Sequence, residues 1–349
     1  GGVVTVDVGE SILFDHDTPA ADAPTLSGSA VTLTAGSDIT GSAGSLVAAT
    51  NLDASLTAPT VDVGTVTAAR DVLVDAGTLS IANAVAGRDV LLEADGAMFV
   101  GNADAGEDLL ATADTVDSDG LLEAGVDLEI SAAGDIMLAD VAAGNDILLD
   151  SLDGAVVLDS GTAGRDMTVR AVVSITADTL VAGRLMDVQT FVGNGDPSLA
   201  RSITLGTATA GLVLTLGAYG PLVADELIVT GPGLLYAGST DSTRIGSMSS
   251  GGDVQLFMSS ISPSGLSTND GRGGIEVGTI VAAGSINALN ETSGIVFGSA
   301  EAGGSINILA TDPDPAFAGF TSGAMTAGGS ILVDVGGAAD LGSLIAGED

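Results

Sequence analysis

The chain contains no cysteine, no tryptophan and no lysine, and it has one histidine, His16. Without cysteine there can be no disulfide, no thiol chemistry and no thiolate-ligated zinc. One histidine leaves little material for Ser-His-Asp or Cys-His catalysis. Aromatic residues make up 3% of the chain, as seven Phe and two Tyr, so any core is narrow and built from small, β-branched and aliphatic side chains. The eight basic residues are all arginine and face 46 acidic ones, a net charge of −38 at pH 7. Such a surface repels phosphate, which excludes nucleic acid as a partner and disfavours anionic membranes. It confers solubility and attracts cations, and it suits high ionic strength, where screening removes self-repulsion. No apolar run reaches 18 residues, so no transmembrane helix is expected, and no signal-peptide pattern is visible.

What the chain has instead is glycine, 51 residues of it, and a phrase that returns. Ala86-Gly87-Arg88-Asp89-Val90 recurs around Gly106, Gly125, Gly144 and Gly164, at steps of 19, 19, 19 and 20 residues. A fixed period of this size is one supersecondary unit stacked on copies of itself. After each Gly-x-Asp comes an alternating apolar run, such as Val90-Leu91-Leu92-Glu93-Ala94 or Leu128-Glu129-Ile130-Ser131. A weaker signal follows half a period later, as at Asp95-Gly96-Ala97-Met98 and Asp153-Gly154-Ala155-Val156. Each unit therefore holds at least two short strands bounded by tight turns. No helical apolar stripe is present, and Gly and Asp recur too often for helices.

Units of strand and turn at this length close one coil of a parallel β-helix. Dividing the length by 19 predicts about 18 coils, and roughly 4.8 Å per coil predicts a rod of about 90 Å. The pattern blurs outside residues 69–190 but persists, with Ser replacing Asp in Gly284-Ser285-Ile286, Gly304-Ser305-Ile306 and Gly329-Ser330-Ile331. The whole of 1–349 reads as a single solenoid. Four segments rich in Pro, Ser, Asp and Gly break the period and read as inserted loops: Asp15–Gly28, Gly193–Ser202, Ser259–Gly274 and Thr311–Gly323. The opening Gly1-Gly2-Val3-Val4 is already strand-like, and the closing Ala346-Gly347-Glu348-Asp349 is half a repeat, so both ends read as cuts through a longer array.

A repeat of the form Ala-Gly-x-Asp-Val-x-Leu-x-Ala resembles the central repeats of filamentous haemagglutinin-type exoproteins, the large Gram-negative adhesins exported by two-partner secretion. The resemblance covers nearly the whole chain and is strongest over 69–190. It implies a right-handed parallel β-helix, a secreted or cell-surface location, and a role in adhesion or fibre building.

The clearest candidate for chemistry is the column Asp71, Asp89, Asp108, Asp127, Asp146 and Asp166. Stacked in register, these carboxylates lie about 5 Å apart. They either form a ladder for cations such as Ca2+, or each caps its own turn by accepting backbone N–H groups. The later exchange for Ser285, Ser305 and Ser330 favours capping, because serine can cap a turn but cannot replace a charged ligand. The calcium-binding nonapeptide GGxGxDxUx is absent. Gly87, Gly106, Gly125, Gly144 and Gly164 are structural turn positions. Arg88, Arg165 and Arg184 occupy the x position, with Glu107 between them, and read as partners for neighbouring carboxylates or as contacts for an acidic glycan.

His16, flanked by Asp15 and Asp17, reads as a solvated loop residue before a metal ligand. Tyr219, Tyr236 and a few Phe are too few to line the long sugar cleft of a β-helix lyase or hydrolase. Phe14, Phe317 and Phe320 sit in or beside inserted loops and either plug them onto the rod or form a lateral contact between neighbouring rods or an adhesive tip. No P-loop or dinucleotide fingerprint opens a helix. The expectation is a non-enzymatic structural and adhesive segment, with no catalytic residues and no cofactor beyond loosely held Ca2+. Its partners are other copies stacked end to end, continuation of the same chain, or glycans and other cell surfaces. The alternatives are a glycan-active β-helix enzyme and a Ca2+-dependent surface module.

Overall fold

A computed structural model describes residues 2–14, 25–41, 45–192, 201–259, 273–291, 293–311 and 319–347. They form an all-β parallel solenoid, with no helix among the described residues. Its coils number about 14 with about 20 residues each, fewer than the 18 that division by 19 predicts. The difference comes from coils that are longer than the basic repeat. The chain divides into two compact units, Gly1–Gly164 and Arg165–Asp349.

In the first unit the pairing is parallel throughout, and equivalent residues stack directly. Val31, Ala54, Val72, Val90, Leu109, Leu128 and Ile147 form one inward column. All seven are at most 2% exposed. From Ala54 onward the steps along this column are 18, 18, 19, 19 and 19 positions. The strands Ala54–Ala68 and Val72–Ala86 each run unbroken around most of a coil, so the two expected strands fuse there into one bent strand. Alternation holds on each straight stretch: in Val90–Ala94 the pattern is buried, exposed, buried, exposed, buried. Inward side chains bury apolar area at about 25 cal/mol per Å2 in every coil, so cohesion is spread along the stack.

The second unit repeats the scheme with the column Met167, Met186, Leu214, Leu235, Val254, Ile286, Ile306 and Ile331. Its steps are less even. Met186 to Leu214 is 28 positions, Val254 to Ile286 is 32 and Ile306 to Ile331 is 25. These three coils carry long connections at the same corner, leaving after Thr190, Met258 and Ala310 and returning at Ser202, Ile275 and Phe320.

Most of the four predicted loops lie outside the described residues, but two of their edges are corrected. Thr25–Gly28 is a strand paired with Leu46–Ala49. Phe320–Gly323 belongs to the strand Phe320–Ala327. Serine and glycine made both stretches resemble loops, yet their inward phase continues the columns. Phe320 sits below Ile295 and is 1% exposed. Its ring meets Phe297 edge-on, with centroids 5.7 Å apart at 85°, a favoured aromatic geometry. Phe320 is therefore core, neither a loop plug nor a lateral contact. Phe317 and His16, with its flanking Asp15 and Asp17, lie outside the described residues.

Candidate functional site

The Gly-x-Asp turn becomes intelligible once every backbone N–H in it is assigned. At Gly125-Val126-Asp127-Leu128, the Gly125 N–H donates to Ala105 O at 2.9 Å and the Val126 N–H to Glu107 O at 2.8 Å. The Leu128 N–H donates in the opposite direction along the stack, to Asp146 O at 2.9 Å. Between them the Asp127 N–H has no backbone acceptor, and the Asp108 carboxylate takes it at 3.2 Å. The same bond recurs from Asp146 N–H to Asp127 at 3.1 Å, from Asp108 N–H to Asp89 at 3.3 Å and from Asp89 N–H to Asp71 at 3.4 Å. A buried amide without an acceptor is costly, so the repeat needs a short side chain with an oxygen at this position.

Each carboxylate thus serves the next coil and not its own turn, which corrects the expected partner. Serine makes the same bond. Ser305 N–H donates to Ser285 Oγ and Ser330 N–H to Ser305 Oγ, both at 3.2 Å. The glycines stack just as closely. A Cβ at Gly106, Gly125, Gly144 or Gly164 would overlap the carbonyl oxygen of the preceding glycine in the column, and one at Gly87 would overlap that of Ala69.

The arginines at the x position reach back one coil. Arg88 forks onto Asp71, with Nε to Oδ1 at 2.8 Å and Nη2 to Oδ2 at 2.5 Å, and its Nε lies 3.1 Å from Asp89. Arg184 holds Asp166 and Arg70 holds Asp53 in the same two-pronged way. Arg165 Nε lies 3.9 Å from Asp166. The hydrogen bond from Arg70 keeps the Asp53 carboxyl below the ordinary carboxylate range, and Arg184 does the same for Asp166; partial burial opposes both. Between these arginines the x position holds Glu107, Val126 and Asn145, and Asp108 and Asp127 form no ion pair among the described residues. Also among the described residues, no three His, Asp or Glu side chains converge into a group able to hold a metal ion, and no helix is long and apolar enough to cross a membrane.

A second set of polar residues stands at the corner that ends the first strand of the coil. Ser151, Thr190, Ser239 and Asn290 occupy an inward position normally held by alanine, and each is at most 4% exposed. Ser151 Oγ accepts the Gly154 N–H at 3.0 Å, and Thr190 Oγ1 accepts the Tyr219 N–H at 2.9 Å. Asn290 donates to Gly294 O at 3.0 Å and accepts the Ser293 N–H at 3.2 Å. The sequence signal was a polar residue in the buried phase of the alternation, masked by the general abundance of Ser and Thr.

A groove of about 580 Å3 lies on the outer face of the second unit. Two columns of outward side chains form it. One runs Tyr236, Gln255, Asn287, Asn307 and Leu332; the other runs Gly238, Phe257, Leu289, Leu309 and Asp334. Gly238 has a specific reason to lack a side chain, since a Cβ there would lie 2.7 Å from the Tyr236 hydroxyl and 3.1 Å from its ring. The phenol therefore lies down over Gly238, whose neighbour in register is Phe257. Burial raises the Tyr236 hydroxyl above its usual pKa. Tyr236, among the aromatics too few to line a long sugar cleft, shares this groove with Phe257, a placement that residues 21 apart in sequence do not announce.

Compared with known proteins, the chain matches no family model, no curated protein and no solved structure.

Proposed function

We propose that this chain is a non-enzymatic structural and adhesive segment of an extracellular or cell-surface fibre, of the kind built by Gram-negative haemagglutinin-type exoproteins. The observation that carries this reading is the use made of the carboxylate column. Asp108 and Asp127 each give an oxygen to a backbone amide of the next coil, and Asp71 and Asp166 are held by arginine forks, an arrangement that holds coils together. The periodicity itself supports a mechanical role, because stacked coils of one design distribute load evenly. Cations are held loosely along the acidic surface as counter-ions. Further coils, from the same chain or another copy, extend the stack by parallel pairing at an open strand edge.

Electron microscopy and fibre diffraction at moderate salt test this. Filaments with an axial reflection near 4.8 Å, and attachment of the purified protein to cell surfaces, are the expected results. Short particles that neither associate nor attach under any salt condition would overturn the proposal.

A further inference from the structure

We propose that the groove of the second unit binds a neutral oligosaccharide laid across the coils. This names the ligand class of the adhesive function and rests on that reading. The groove stands apart from the rest of the surface in charge: in a chain with a net charge of −38, its lining includes a single ionisable carboxylate, Asp334. A cationic partner has little there to hold it, and a polyanion is repelled by the chain as a whole.

The polar groups of the groove are uncommitted and of both kinds. The Tyr236 hydroxyl and the Gln255 amide make no hydrogen bond to protein among the described residues. Asn307 donates to the Asn287 carbonyl oxygen at 2.9 Å, which leaves the Asn287 amino group and the Asn307 carbonyl oxygen free to face a ligand. Beside this line of donors and acceptors runs an apolar strip that includes Phe257 and Leu309. A sugar ring is matched to that pairing, with C–H groups for the aromatic and aliphatic strip and hydroxyls for the amides. The volume lies within the range of small-molecule sites, and apolar walls with a few placed polar groups are their usual composition. Because parallel coils repeat the amide column at about 4.8 Å, the recognition is linear, and a chain of sugars is favoured over a monosaccharide.

Isothermal titration of the whole chain with cellohexaose and with maltohexaose, using polygalacturonate as the anionic control, tests the inference. The expected result is binding to at least one neutral hexaose and none to the polyanion. Gln255→Ala, Phe257→Ala and Tyr236→Phe should each weaken binding about tenfold. Leu91→Ala, on the outer face of the first unit, should leave it unchanged. Thermal denaturation of each variant separates loss of the site from loss of fold, and the exposed Gln255 is the variant least able to disturb folding. No heat with either hexaose, or equal affinity in all variants, would overturn the inference. Filaments that still form and attach in that case would leave the fibre proposal standing, while hexaose binding without filaments would reverse the two outcomes. If Phe257→Ala abolishes association between copies and no sugar binds, the groove is a contact between copies and the inference fails.

Discussion

The Asp127 carboxylate accepts the backbone N–H of Asp146, its counterpart one coil on, at 3.1 Å. That single bond accounts for the residue choice at the third position of the turn, because it asks for a short side chain that carries an acceptor oxygen. Asp127→Ala should destabilise the protein by about 1 kcal/mol, the cost of leaving a part-buried N–H without this acceptor. Asp127→Asn keeps an acceptor oxygen and should fall within about 0.5 kcal/mol of the parent. Chemical denaturation of the two variants distinguishes the roles, since equal losses would mean that the charge, and not the acceptor, is what the turn requires.

A side chain at the first position of the turn meets backbone and not a flexible neighbour. Gly125→Ala would drive a methyl group into the Gly106 carbonyl oxygen and should cost about 3 kcal/mol or more, at the upper end of overpacking penalties. Gly217→Ala is the control: the nearest atom to its new Cβ would be Gln189 Cγ at 3.6 Å, so its effect should stay within about 0.5 kcal/mol. Similar melting temperatures for the two variants would show that the glycine column can relax.

Acid should weaken the protein through Asp53 and Asp166. Both carboxyls are held below the ordinary aspartate range, by the hydrogen bonds of Arg70 and Arg184 respectively. A depressed carboxylate contributes stability that is fully present above its unfolded pKa, from about pH 5 upward, and is lost as pH falls through the folded value. The double variant Arg70→Ala/Arg184→Ala should therefore be less stable at neutral pH and should lose less on acidification. Thermal melts from neutral to acidic pH check this; parallel curves for parent and variant would sink it.

The ring pair Phe297–Phe320 should be the strongest single packing contact of its coils. Phe320→Ala is expected to cost about 3–5 kcal/mol and Phe320→Leu less than about 1.5 kcal/mol. A small effect of the alanine variant on the denaturation midpoint would place Phe320 outside the cooperative core.

Much of the fold was legible because one residue type has only one use in it. Glycines at steps of 19 and 20 set the coil length over Gly87–Gly164, and alternating apolar runs such as Val90–Ala94 marked strands. Strand count was less legible, since Val72–Ala86 bends around its corners as one strand although Gly77, a turn signal in sequence, sits within it. Phe320 was misread because its neighbours Thr321, Ser322 and Gly323 carry turn chemistry, while its own environment is set by Ile295, 25 residues earlier. The direction of the aspartate bonds was invisible for a similar reason: acceptor and donor are 19 residues apart, and local turn geometry favours an own-turn reading. The groove depends on which outward residues fall side by side after coils of 19, 32 and 20 positions, and unequal steps erase that register from the sequence.

The glycine column also divides the turn into what is forbidden and what is free. Gly87, Gly106, Gly125 and Gly144 admit no side chain, yet the very next residue is Arg88, Glu107, Val126 and Asn145 in turn. An invariant spine thus carries a row of interchangeable slots. Charge and polarity can be rewritten coil by coil along this edge while the pitch of the stack stays the same, so such a chain can diversify what it displays without renegotiating how it folds.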